Sequence, residues 1–521
     1  MYLALSSSKD TYITNKIINN TFRATDANAG SAGTIDIFKL YSENTLAGET
    51  NPIELSRGLI KFDLSLLRSL KQTKIDINDS SFKCFLNLHD VYGGQTTPAN
   101  FKMIVFPLAK SFDEGTGRDI VNFADLDSTN YITASVDSLL NVTAWDEPGA
   151  NASGSLGDAS IDVIVSGTLE GPNGSQTVSL SPEQTFITGK EDLKVDITTI
   201  ISGVLSNQIP DNGFCIAYSG SYEKDNKTYF VKRFASRNSN NTRIRPKLIV
   251  NYNDKIEDYH QNMIFDVSGS LFLNNYHFSQ PANILSGSEA TEITGDDCMH
   301  LILKSGSFTK TVSASQYKTG DNYQTGIYSA SFAISQFESL LREEVKSAGS
   351  ASFTEIWSSI DETVGYYTGS LVVNTAQRSA FDNRLSRILI SVVNQQDVYE
   401  KDDIPRIRVF AENRDREITY KKSPFEKTSE IFVKMFYRVI DADSGDVVIP
   451  FDTDTENNAT AVSFDKNGMF FDFYMNSLSP GRSYYFDFKI KDKGSIKIIK
   501  DNPSTFLIEI GKKWVKEAEE L

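Results

Sequence analysis

Apolar and polar side chains alternate with a period of two along most of this chain. Between Phe82 and His89, the residues Phe82, Cys84, Leu86 and Leu88 fall on one side of an extended strand, while Lys83, Asn87 and His89 fall on the other. Ile161, Val163 and Val165 repeat the pattern, as do Ile431, Val433, Met435, Tyr437 and Val439, and then Phe486, Phe488 and Ile490. Turn-forming clusters punctuate the runs, among them Tyr92-Gly-Gly, Gly171-Pro-Asn-Gly and Asp443-Ser-Gly. Long connecting helices of the kind that join parallel strands are missing. The pattern therefore predicts an all-β protein of tandem β-sandwich modules with few short helices. One helix is predicted from Ser335 onward, where Phe337, Leu340, Leu341 and Val345 form a stripe.

A chain of 521 residues exceeds a single hydrophobic core and calls for about three domains. Charged, polar joints suggest where they divide. Asn251 to His260 follows a strong strand, and Asp397 to Pro405 opens another segment, so the modules read as 1–253, 254–398 and 399–511. Residues 512–521, with Trp514 and Val515 among charges, read as a short terminal helix or an arm.

Composition narrows the possible functions. The 33 Phe and 22 Tyr belong to a folded protein, and a net charge of −16 argues against grasping nucleic acid or an anionic membrane. The three cysteines, Cys84, Cys215 and Cys298, are too scattered for a disulfide framework or zinc site. No run approaches the apolar length of a membrane span, and the first residues lack the basic-then-apolar signature of a secretion signal. The expectation is a soluble protein made in a cytoplasm.

Catalysis requires converging groups, and the sequence supplies no starting point for acyl, phosphoryl or hydride transfer. The four histidines, His89, His260, His277 and His300, form no metal-binding spacing, although Cys298 and His300 are near in sequence. No enzyme and no cofactor are expected. Asp441, Asp443 and Asp446 crowd carboxylates into a short loop, as does Asp452-Thr-Asp-Thr-Glu, so each is a candidate calcium loop as well as an ordinary acidic turn. Trp145, Tyr92 and Tyr131 lie in expected loops and are candidate platforms for a sugar ring.

Several short pieces recur in a recognisable order: Asp10-Thr-Tyr-Ile, a segment around Gly30 to Gly33, Arg57-Gly-Leu-Ile-Lys-Phe-Asp-Leu-Ser, Asp113-Glu-Gly-Thr-Gly, Val195-Asp-Ile-Thr, Asn212-Gly-Phe, Phe234-Ala-Ser-Arg and Arg245-Pro-Lys-Leu-Ile-Val. Together they make residues 1–253 resemble the DNRLRE-type domains, jelly-roll sandwiches related to carbohydrate-binding modules; Phe112 stands where the resemblance implies Trp. Longer stretches, such as Ser221 to Phe234, are similar to segments of large tailed-phage virion proteins. Glu430 to Asp446 and Leu478 to Phe488 resemble an immunoglobulin or fibronectin type III module, and 254–398 is expected to hold another sandwich. The resemblance implies a structural protein of a bacteriophage particle, in neck, tail, baseplate or capsid decoration, whose partners are other virion proteins and copies of itself. A virion protein that binds a host-surface glycan or receptor is the alternative it leaves open, and a polysaccharide depolymerase a third.

Overall fold

The computed structural model describes residues 1–121, 128–137, 139–278, 280–287, 290–320, 322–376, 387–414, 429–452, 458–492, 495–500 and 504–510. The chain is almost wholly β, built as tandem sandwiches, with short helices such as Ser65–Thr73, Thr198–Leu205 and Arg342–Ala348. The terminal segment 512–521 lies outside the described residues.

The N-terminal unit is organised around one strand, Tyr2–Thr14, which belongs to two sheets. Its first half runs antiparallel to Lys247–Asn251, with Tyr2 opposite Asn251. After a register shift between Ser7 and Lys9, its second half pairs with Ile53–Phe62. From there one sheet continues through Phe214–Tyr218 and Phe101–Pro107 to Glu183–Phe186, and the other through Lys83–Leu88 to Leu193–Asp196. A bulge is what allows a single strand to turn this corner, because the extra residue bends the ladder. Between the sheets lies a core that includes Leu3, Leu5, Ile60, Phe62 and the whole predicted face of Phe82, Cys84, Leu86 and Leu88.

Simple alternation fails where a sheet is covered on both faces. Leu59 and Ile60 are both fully buried, as are Val163 and Ile164. The second member of each pair belongs to the inner core, and the first to a smaller outer cluster with Ile13, Leu108, Phe112, Trp145 and Cys215. That outer layer comes from the excursion of the chain after Leu108, which folds back over the sheet. Strands buried on both sides lose the polar half of their pattern.

The middle unit is a six-stranded antiparallel sheet running from Gly269–Asn274 to Gly365–Asn374. It nearly closes on itself. Phe265 N–H donates to Asn374 O (3.0 Å) and Asn374 N–H to Met263 O (3.0 Å), so the chain entering the first strand also lines the last. Trp357, Tyr328, Leu301 and Leu371 fill the barrel-like interior. The predicted helix from Ser335 is shorter than its pattern: only Arg342–Ala348 is helical, with Leu341 and Val345 buried but Phe337 and Leu340 exposed. Ser335 and Asp266 capture the amides of Phe337 and Gln336, which holds the preceding residues in turns.

The C-terminal unit packs a sheet of Ile388–Val392, Arg406–Asn413, Gly468–Asp472 and Ser463–Asp465 on one built around Met435–Asp441 and Ser483–Asp492. Ile388–Val392, which the sequence pattern groups with the middle module, thus pairs here with Arg406–Asn413. The core is aromatic. Tyr437 stacks on Phe471 with ring centroids 4.2 Å apart, and Phe486 meets Phe506 at 5.1 Å.

The three units form contacts with one another. Tyr2 and Ala4 point away from the N-terminal core and are buried in the C-terminal one, beside Tyr437 and Phe473. Ala4 N–H donates to Ser477 Oγ (3.0 Å), and Arg243 reaches across to Asp446 (2.8 Å) and Ser444. The middle unit is tied to the N-terminal one through Asn322, whose amide donates to Lys71 O and Ile75 O. Residues 256–258 add a rung to the C-terminal sheet beside Phe464. The polar joint read from the sequence is therefore hydrogen-bonded structure. Truncating Tyr2→Ala should cost about 3 kcal/mol, as expected for loss of a buried aromatic. Calorimetry should show the loss in the unfolding of the C-terminal unit as well as the N-terminal one.

Candidate functional site

Four of the quoted pieces of the N-terminal unit, those of Asp10, Gly30, Glu114 and Arg237, are distant in sequence and meet at one place. Asp10 follows the corner-turning bulge, and its backbone N–H donates to Glu114 Oε1 (3.0 Å). Its carboxylate accepts from Arg237 N–H (2.7 Å) and from Ser7 Oγ (3.2 Å), while the Arg237 guanidinium pairs with Glu114 Oε2 at 2.5 Å. Asn28 ties in the remaining loops: its amide donates to Glu114 O and Thr129 O, and its Oδ1 accepts from Gly30 N–H and Gly117 N–H. Gly30 must be glycine, since a Cβ there would stand 1.8 Å from the Glu114 carbonyl oxygen.

Asp10 is the strained member of this knot. It is 1% exposed, and Oδ1 has no hydrogen-bond partner. Burial, opposed by the Arg237 N–H but reinforced by the Glu114 charge, pushes its pKa up to about 7. Glu114 is engaged through both carboxylate oxygens and its carbonyl, so the groups that converge serve to bind loops to one another.

Buried charges elsewhere in the unit do the same work. Arg57 pairs with Glu223 (2.6 Å) and donates to Gly149 O, Ala150 O and Asn151. Lys232 meets Asp90, Gly189 O and Glu191 O, and Lys39 meets Asp225 and Lys227 O. Each cationic head on a strand collects oxygens from a loop that crosses above it. Sequence reasoning missed these groups; their signal is a Lys or Arg inside an otherwise strand-like run, with no indication of which loop it meets.

The sequence-predicted aromatic platforms are not brought together. Trp145 is a correction: it is 4% exposed, packed in the outer cluster, with its indole N–H donating to Asn130 O (3.0 Å). A ring enclosed on both faces cannot stack on a sugar. Tyr131 is half-buried against the backbone of Gly149, and burial pushes its phenol up. Tyr92 is exposed on a different loop, with the Lys190 ammonium 4.4 Å from its ring centre.

At the candidate calcium loop, the buried Asp441 carboxylate is already occupied. Oδ1 accepts from Asp443 N–H and Ser444 N–H, and Oδ2 from Arg482 (2.8 Å). Asp446 is taken by Arg243. Two guanidinium groups stand where a cation would need to sit, so the loop is an arginine-clamped turn. The second acidic loop falls largely outside the described residues. His89 pairs with Asp192, His300 faces Glu362 at 3.6 Å, and His277 is an exposed neighbour of Phe278. Among the described residues no cluster of His, Cys, Asp and Glu has metal-binding geometry, and no helix is long and apolar enough to cross a membrane.

The surface also presents projecting apolar side chains. The hairpin of Thr133–Val136 and Val142–Ala144 ends in a turn built on Asp137, whose carboxylate accepts from Leu139 N–H, Asn141 N–H and the Asn141 amide at 2.8 Å each. Leu140 sits in the left-handed region with φ 64°, an uncommon setting for a branched apolar side chain. Leu139 and Leu140 are 79% and 70% exposed, and Val142, where the returning strand begins, is exposed as well. Phe278, 89% exposed, tops a second small hairpin in the middle unit.

No family model matches this chain, and no curated protein matches it in sequence. The DNRLRE-type resemblance therefore rests on the residues themselves. Among solved structures, a titin A168–A169 fragment matches at 6% identity over 50% of this chain and 98% of its own, with a TM-score of 0.14. The Ig1-2 module of the Drosophila receptor tyrosine phosphatase DLAR matches at 7% identity over 49% of this chain and 95% of its own (TM-score 0.13). Three N-terminal domains of the outer capsid protein Hoc of bacteriophage RB49 match at 10% identity over 48% of this chain and 67% of theirs (TM-score 0.14). At such scores the superpositions carry no weight, and the architecture is read from this chain alone.

Two measurements test the loop knot. Gly30→Ala should destabilise the N-terminal unit by more than about 2 kcal/mol, because backbone has to move, whereas Gly33→Ala, which meets nothing within 4 Å, should be near neutral in denaturant titration. Asp10 has a folded pKa raised above its ordinary 3.8, so the stability it contributes is complete below that value and is lost as pH rises through about 7. Asp10→Asn should therefore stabilise by about 1–3 kcal/mol at pH 8 and much less at pH 5.

Proposed function

We propose that this chain is a structural component of a tailed-phage particle that works through protein–protein contacts, with other virion proteins and copies of itself as partners and assembly in the host cytoplasm. The observation that carries the reading is the Asp137 turn. It spends hydrogen bonds and a left-handed Leu140 to hold two leucines out in water, an arrangement that gains free energy only when another surface covers them. The jelly-roll motif residues support the same reading, since they bind loops to one another and so stiffen the scaffold that presents the turn. We assign no catalytic step to the chain. Its place in the particle, whether neck, tail, baseplate or head surface, is left to the experiment.

A second reading, binding of a host-surface glycan, is favoured by exposed Tyr92 with Lys190 across its ring. Mass spectrometry of purified particles tests whether the chain is a virion protein, which both readings require, and the turn and glycan variants separate the two. The chain should be present in stoichiometric amounts, and Leu139→Asp with Leu140→Asp should cut its incorporation at least tenfold with a Tm within about 2 °C of wild type, as for other surface substitutions. Absence from particles overturns the virion reading, and undiminished incorporation of the double variant overturns the turn as its contact. Glycan binding that vanishes in Tyr92→Ala would favour the second reading.

A further inference from the structure

The connection between the N-terminal and middle units carries a charged triad that ties it to the middle barrel. Asp258 caps the short turn Tyr259–Gln261. His260 Nδ1 lies 2.5 Å from Asp258 Oδ1, and Nε2 lies 2.9 Å from Glu355 Oε2 on the middle-unit strand Ser350–Ser358. All three are enclosed, with side-chain exposures of 9%, 2% and 1% for His260, Asp258 and Glu355. Flanking residues reach the C-terminal unit: Tyr259 meets the Phe464 ring edge-on at 5.3 Å, and the Gln261 amide donates to Lys466 O. The remaining charged or titratable groups nearby are Glu257, which accepts from Tyr259 OH and from Lys255, Lys255 itself, Tyr367, whose hydroxyl lies with the Glu355 carboxylate above Gly369, and Lys466 over the Tyr367 ring.

A neutral imidazole has one N–H and one lone pair. It can donate to Asp258 or to Glu355, but the other carboxylate then faces a lone pair in a place closed to water. Only the imidazolium, a donor at both nitrogens, satisfies both. We propose that protonated His260 is a latch fixing the middle barrel to the connecting segment, and that loss of its proton loosens the barrel, which keeps its Asn322 contacts with the N-terminal unit as a second tie, so that it swings on residues 259–262. Burial alone would lower the His260 pKa, yet the hydrogen bonds and charges of Asp258 and Glu355 outweigh it and raise it from 6.5 to about 9. With the latched pKa above the free one, the stabilisation is complete below about pH 6.5 and is lost as pH rises through about 9. The equilibrium constant for opening then grows on the order of a hundredfold across that interval. Particle assembly plays no part in the argument, so the latch stands or falls separately from the proposed function.

Small-angle scattering of the full chain at pH 7 and pH 10 tests it. The wild type should have a larger radius of gyration at pH 10 and become cleavable by protease within residues 259–262. His260→Gln cannot change charge and should give the same scattering at both pH values. Glu355→Gln provides a second route, since it removes one acceptor that demands the proton and should shift the transition to lower pH. A wild type that scatters identically at pH 7 and pH 10 overturns the latch. So does a His260→Gln protein that retains the full transition.

Discussion

One strand serves two hydrophobic cores, and the tertiary arrangement depends on it. Along Tyr2–Ser6, Leu3 and Leu5 enter the N-terminal core while Tyr2 and Ala4 enter the C-terminal one. The sheet that contains this strand is therefore buried on both faces. The N-terminal and C-terminal units become neighbours, and the middle barrel makes contacts with each. Burying a sheet face against another unit removes apolar area from water just as an internal core does, so the interface has the character of a core and not of a hinge.

The second constraint is that the outer faces of the N-terminal sandwich are not left to solvent. Long excursions of chain cover them, and covering a strand's charged side chains would be ruinous if those charges were orphaned. Arg57, Lys39 and Lys232 avoid this by taking carboxylate and carbonyl oxygens from the covering loops. Loop and charge thus stabilise each other: the cation gains ligands, and the loop gains a fixed path over the sheet. The Asp10 knot is the extreme case, with one carboxylate oxygen left unpartnered in return for joining loops from four parts of the sequence.

Much of the fold was legible from alternation. The faces Phe82/Cys84/Leu86/Leu88 and Phe486/Phe488/Ile490 are buried as their spacing requires, because each strand has one core-facing side and period two identifies it. The stripe at Phe337 misled, since apolar spacing does not record the side-chain hydrogen bonds that hold 335–341 in turns. The candidate site residues were least legible. Trp145 sits in a loop by sequence but under one in space, and the carboxylates of Asp441 and Asp446 meet arginines that lie 41 and 203 positions away. Leu139 and Leu140 resemble any apolar pair until the Asp137 turn is seen to aim them outward.

The amino-acid order by itself determined the strand-rich character, the places of several strands such as Lys83–Leu88 and Ser483–Asp492, and the acidic charge balance, because these follow from local spacing and composition. Which faces are covered, which charges are paired, where the apolar projections point and how the units lean on one another were decided only by the folded chain. The reason is that a strand's register with its neighbour and a loop's path over a sheet are long-range choices. They are settled by the total burial and hydrogen bonding of residues as far apart as Ala4 and Ser477, and no local pattern carries that sum.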